Sequence, residues 1–216
     1  MLEKMSDFFE ARLAGYDTHM RSNIESATEF YPFTARQLPA TAPCHILDLG
    51  CGTGLELEEY FPLNPTARIT GIDLSRGMLE ALARKFADKD ITLICGSYFD
   101  EPFGSCVFDG AVSVESLHHF TRAEKIPLYR KLHAALKDGA HFILTDYFAM
   151  SDEEEILHRH RLQALKAAQG ITDDGFYHYD TPLTLQHELE ALREAGFSRA
   201  EVLQSWGATS TIKATK

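Results

Sequence analysis

The residues best suited to chemistry open with HILDLGCGTGLELEEYF, His45 to Phe61. An apolar run carrying one acid, Asp48, breaks into Gly50, Gly52 and Gly54 and then resumes as a helix-like stretch. Glycine costs backbone entropy inside regular structure, so this spacing marks a turn whose backbone comes close to something. A second acid, Asp73, closes the next apolar run, 73 − 54 = 19 residues after the last glycine. That is near the spacing of roughly 20 at which an acid accepts ribose hydroxyls. A pyrophosphate-binding turn needs glycines at relative positions one, three and six. Counting from Gly50, the sixth position is Leu55, so the pattern departs from that of a dinucleotide site.

Other residues offer ligand atoms without a metal-binding spacing. His118-His119, His158-x-His160 and His178-x-Asp180 contain neither HxxxH nor HExxH, and no metal is expected from them. Cys44, Cys51, Cys95 and Cys106 form no CxxC pair, and three of them sit in or beside apolar runs. They read as reduced, buried thiols.

The glycine turn needs a strand before it and a helix after it, and the surrounding pattern supplies both. ARITGID, DITLICG, FDGAVSVE and AHFILTDYF read as strands. Between the first two, Met78, Leu79, Leu82 and Phe86 recur at helical spacing behind Ser75, a suitable N-cap. TRAEKIPLYRKLHAALKDG reads as a helix ended by Gly139. Such alternation predicts βαβ crossovers and a doubly wound α/β sheet with helices on both faces. Ligands of such sheets bind at the carboxyl ends of the strands, where the glycine turn lies. Residues 1–40 are expected to form a helical cap, 41–150 the ligand-binding core, 151–182 an added helix with an aromatic loop, and 183–216 a closing helix and antiparallel hairpin, all in one domain.

ILDLGCGTG, Ile46 to Gly54, resembles the first motif of the class I S-adenosylmethionine-dependent methyltransferases. The likeness continues in order through ITGIDLSRGML, ICGSYF, FDGAVSVESLHHF and LYRKLHAALKDGAHFILTDYF, from about His45 to Phe148. The resemblance implies a mostly parallel seven-stranded sheet with an antiparallel C-terminal hairpin, and S-adenosylmethionine as cofactor. Its site would draw on Tyr16, Asp48, Gly50, Cys51, Gly52, Gly54, Asp73, Leu74, Met78, Ser97, Tyr98 and Val114. Asp48 would favour the cofactor's ammonium, directly or through water, and Asp73 its ribose hydroxyls. Ser97 and Tyr98 stand where related proteins often carry an acid for the adenine amino group, while Leu74 and Met78 would flank the ring. Tyr16-Asp17 resembles a pair that closes over the cofactor. Glu115 and His119, after the fourth strand, fall on the methyl-transfer face as candidates for orienting the acceptor or taking its proton.

Phe176, Tyr177, His178 and Tyr179 form an aromatic loop suited to roofing an apolar or aromatic acceptor, or to contacting a second copy of the chain in a homodimer. The formal net charge of −11 disfavours a nucleic-acid partner. No apolar run is long enough to span a bilayer, and the acidic start lacks a signal-peptide core, so a cytoplasmic location is expected and no membrane partner. The expected function is methyl transfer to a small-molecule acceptor. The rival readings are a partner subunit that binds the cofactor without catalysis, and a nicotinamide-dependent oxidoreductase, against which Leu55 and the missing third glycine argue.

Overall fold

The computed structural model describes residues 1–41 and 43–216. Three helices, α1 (Met5–Arg12), α2 (Tyr16–Asn23) and α3 (Ala27–Gln37), precede the sheet. There follow β1 (His45–Leu49), α4 (Leu55–Tyr60), β2 (Arg68–Asp73), α5 (Arg76–Lys85), β3 (Ile91–Cys95), β4 (Phe108–Val114), α6 (Arg122–Ala135) and β5 (Leu136–Tyr147). The chain closes with α7 (Asp152–Ala168), α8 (Leu185–Glu194), β6 (Arg199–Trp206) and β7 (Thr209–Thr215). The seven strands lie in the order β3-β2-β1-β4-β5-β7-β6. β1 to β5 run parallel, and β7 pairs antiparallel with both β5 and β6.

The strand order explains where a ligand belongs. The chain winds outward from β1 through β2 to β3, then returns to the other side of β1 as β4. Crossovers leave β1 and β4 in opposite directions, which opens a crevice at their carboxyl ends. The glycine turn follows β1 and Glu115 follows β4, so both sit at that crevice.

Apolar side chains cover both faces, as a parallel sheet flanked by helices requires. Ile46, Ile69, Val112 and Ile143 pack with Phe30 of α3, Leu57 and Tyr60 of α4, and Leu79 and Leu82 of α5. Leu47, Leu49, Phe142 and Leu144 face the other way, toward Leu128, Tyr129 and Leu132 of α6 and Leu192 of α8. Between α6 and α8, Lys125 Nζ meets Glu188 Oε2 at 2.6 Å with both side chains buried. The Tyr129 hydroxyl donates to the same carboxylate. Removing one partner of such a pair costs about 3–5 kcal/mol, because the other charge is left buried and unmatched.

Two expectations are corrected. The helix predicted to reach Gly139 ends at Ala135, because Leu136 joins β5 opposite Phe108. Gly139 then falls within β5 at φ +77°. Of the thiols read as buried, Cys44 and Cys51 are, whereas Cys95 on the sheet-edge strand β3 and Cys106 ahead of β4 are exposed; all four are free.

Candidate cofactor and acceptor site

The turn after β1 is built around contacts only glycine permits. At φ +73°, Gly50 adopts a left-handed conformation, and a Cβ there would stand 2.0 Å from Ser116 Oγ. Its N–H donates to Ile72 O at 2.8 Å, which ties the turn to β2. Asp73 closes the arrangement. Its Oδ2 accepts from Gly52 N at 2.9 Å and its Oδ1 from Ser75 N at 2.8 Å. Burial raises the Asp73 pKa, while the Ser75 and Gly52 N–H groups pull against that rise. The Ser75 hydroxyl caps α5 by accepting from Met78 N. With the cap role filled by Ser75, the unused lone pairs of Asp73 remain for a ligand.

A cavity of about 40 Å³ lies against this turn. Among the residues singled out from sequence, Tyr16, Gly50, Gly52, Asp73, Leu74, Met78, Tyr98, Glu115 and His119 line it. Met5, Phe9 and Ser116, which the sequence did not single out, complete the wall. The remaining candidates stand behind the wall. Cys51 Sγ points back toward Gly71 on β2, Gly54 packs against Leu82 and Phe86, and Ser97 Oγ caps its own turn at Phe99 N. Val114 is buried at the end of β4.

Asp48 departs most from its expected place. It is 1% exposed beneath the turn, next to the equally hidden Glu56 of α4. Among the described residues, neither Asp48 carboxylate oxygen nor Glu56 Oε1 has a hydrogen-bond partner. Burial and mutual repulsion push the Asp48 carboxyl well above its ordinary range, and burial pushes Glu56 up to about 7. Two buried carboxyls side by side favour holding a proton over both ionising, so a direct ion pair between Asp48 and a cofactor ammonium does not follow from this geometry.

A second cavity, of about 860 Å³, adjoins the first and shares Phe9, Tyr16, Glu115 and His119 with it. Phe8, Met20 and Ile24 give it apolar walls, and His118, His178 and Asp180 a polar side. The aromatic loop divides its labour. His178 faces this cavity and stacks on Phe8 with ring centroids 3.4 Å apart, whereas Phe176 packs on Phe99 and Phe120 and Tyr177 hydrogen-bonds to Asp173. The loop is joined to the N-terminal segment through Met5 N to Phe176 O, 2.9 Å, and His178 N to Glu3 O, 3.0 Å. Asp17 fastens α2 to the turn by accepting from Thr53 Oγ1 at 2.5 Å and Lys85 Nζ at 2.9 Å.

The shared wall is strained and electrostatically divided. Glu115 has φ +49°, uncommon for a residue with a side chain. Burial and the neighbouring Asp146 push its pKa up to about 8. Burial alone would lower His118, but Asp146, Glu115 and Asp180 together raise it to about 9. His119 drops to about 4 through burial and the adjacent His118 charge, so it is neutral at physiological pH.

A methyltransferase-domain family model matches residues 46–139. The biotin biosynthesis bifunctional protein BioHC of Teredinibacter turnerae is 29% identical over 205 residues, covering 89% of this chain and 33% of that protein. The demethylmenaquinone methyltransferase of Symbiobacterium thermophilum is 36% identical over 104 residues, covering 46% of this chain and 41% of that one. The chain thus spans about a third to two fifths of the length of these two curated relatives. A crystal structure of a putative O-methyltransferase from Nostoc punctiforme superposes with a TM-score of 0.71 at 23% identity, covering 99% of this chain and 62% of its own. Human N-acetylserotonin methyltransferase in complex with S-adenosylmethionine gives a TM-score of 0.62 at 19% identity, covering 97% and 55%. The fold and the first motif are those by which this chain is similar to the class I S-adenosylmethionine-dependent methyltransferases, and the family model's match spans the glycine turn, Asp73 and Glu115.

Proposed function

We propose that this enzyme transfers the methyl group of S-adenosylmethionine to a small-molecule acceptor seated in the larger cavity. The observation that carries the reading is the junction of the two cavities at Glu115 and His119, at the carboxyl end of β4. The wall chemistry fits the cofactor. Gly50 and Gly52 let backbone approach its amino-acid end, Asp73 keeps lone pairs for ribose hydroxyls, and Leu74, Met78 and Tyr98 offer apolar surface to adenine. When bound, the cofactor supplies an activated methyl group with a neutral thioether as leaving group.

The chain's own task is alignment, exclusion of water and handling of a proton. Phe8, Phe9, Met20 and Ile24 suit an apolar or aromatic acceptor. Glu115 and His119, which line both cavities, are the candidates for orienting the nucleophile or taking its proton. The acidic net charge of −11 supports a small acceptor over a polyanionic one. The test is calorimetric titration with S-adenosylhomocysteine and NADH, followed by an acceptor screen that reads S-adenosylhomocysteine release. Binding of S-adenosylhomocysteine with acceptor-dependent release is expected. Binding without release for any acceptor would favour a non-catalytic subunit, and binding of NADH alone would overturn the reading.

A further inference from the structure

We infer that His118, His119 and Asp180 form a binding site for one divalent transition-metal ion on the polar side of the larger cavity. The three residues each present a donor atom, and these lie within 4.8 Å of one another. Asp180 Oδ1 is 3.2 Å from His119 Nδ1 and 3.6 Å from His118 Nε2. Such separations approximate the edges between ligands that each stand about 2.0–2.2 Å from a shared ion.

The surroundings of His118 argue for more than a chance cluster. Its Nδ1 lies 2.5 Å from Asp146 Oδ1. Asp146 also accepts the N–H of Leu117 at 2.8 Å and of Tyr147 at 3.0 Å. The Asp146 carboxylate engages Nδ1 and leaves Nε2 as the nitrogen that meets Asp180 Oδ1, the one a metal would take by displacing its proton. Carboxylate, histidine and metal in series is how proteins orient an imidazole ligand and raise its basicity.

The scaffold holds the two ligand-bearing segments together. Thr181 N donates to His118 O at 2.8 Å, and the His158 ring bonds Asp180 O at 2.9 Å. Asp180 remains 44% exposed toward the cavity, so coordination positions stay open for a further ligand. Two imidazoles and one carboxylate select zinc, iron(II), cobalt, nickel or manganese over the all-oxygen preference of magnesium and calcium. Sequence spacing hides the set, since two ligands are adjacent and the third arrives from the loop after α7. An acceptor oxygen or nitrogen bound to such an ion would be acidified beside the methyl-transfer face. That role rests on the methyl-transfer reading; binding of the ion itself does not.

The test titrates chelator-treated full-length protein with Co²⁺ alone, followed by visible absorbance and calorimetry, with S-adenosylhomocysteine affinity measured on the same samples. The expected result is saturation at a single equivalent. Affinity should fall at least about tenfold in Asp180→Asn, and about 10–100-fold in Asp146→Asn, the range for a lost carboxylate behind a ligand. His160→Ala, altering an exposed histidine of α7, should leave it unchanged. His119→Gln replaces either carboxylate variant that fails to fold by circular dichroism. Absence of saturable binding in the wild type, equal binding in folded Asp180→Asn and His119→Gln, or nitrogen NMR showing both His118 ring nitrogens protonated in the presence of metal would overturn the site. Loss of S-adenosylhomocysteine binding with metal binding intact would instead count against the cofactor reading alone.

Discussion

Glu10 Oε2 takes a hydrogen bond from Ser75 Oγ at 2.7 Å and another from Gly77 N at 3.1 Å. A residue of the N-terminal segment is thereby fastened to the first turn of α5, two positions beyond Asp73. Glu10→Ala should release α1 from the cofactor pocket and weaken S-adenosylhomocysteine binding several-fold with little change in melting temperature, as calorimetry and a thermal scan would read. Unchanged affinity would show that α1 is only a surface attachment.

Asp73→Ala should weaken cofactor binding by about 1.5–3 kcal/mol through loss of charge-assisted hydrogen bonds. Because Asp73 also accepts from Gly52 N and Ser75 N, Asp73→Asn is the informative companion. It keeps acceptor capacity on one side of the carboxyl and should bind between the two. Wild-type affinity in both variants would remove Asp73 from the ribose site.

The Asp48 and Glu56 carboxyls give stability a pH dependence whose sign is opposite to the usual carboxylate case. Their folded pKa values lie above the unfolded ones, so between those limits the folded state binds more protons. The Glu56 contribution is fully present below about pH 4 and is lost as pH rises through about 7. Glu56→Gln should flatten that decline, so the stability difference from wild type should shift in the mutant's favour between pH 5 and 8 in urea titrations. Parallel curves for the two proteins would show that the pair does not titrate in this range.

His178 faces the larger cavity but is absent from the lining of the smaller. His178→Ala should lower acceptor turnover or raise its KM while leaving S-adenosylhomocysteine affinity nearly intact. Phe176→Ala removes packing against Phe99 and Phe120 and should act through the melting temperature instead. Equal loss of cofactor affinity in His178→Ala would move the loop from acceptor recognition to the cofactor pocket.

How much of this was legible follows from how local each signal is. Gly50, Gly52 and Asp73 announce themselves because turn geometry and strand ends act over a few residues, and βαβ alternation is enough to place them at one crevice. Glu10 carries no such mark, since its partner Ser75 lies 65 residues away. Asp180 gains meaning only when the loop after α7 folds back on His118. Asp48 misleads for a related reason: the motif identifies its strand, but only the packed structure shows Glu56 beside it. The helix end at Ala135 likewise depends on Leu136 meeting Phe108 across the sheet, which periodicity within one segment does not contain.

The space beside the glycine turn, about 40 Å³ under Met5, Phe9 and Tyr16, is far smaller than S-adenosylmethionine. Those side chains belong to a segment joined to the aromatic loop, and Phe9 and Tyr16 also wall the larger cavity. On the proposed reading, cofactor and acceptor share this wall, and the wall has to move for the cofactor to enter. The outcome expected of that reading is sequential, ordered turnover, with cofactor first on and S-adenosylhomocysteine last off. Product inhibition by S-adenosylhomocysteine should be competitive against the cofactor and noncompetitive against the acceptor, whereas a random order would give competitive patterns against both.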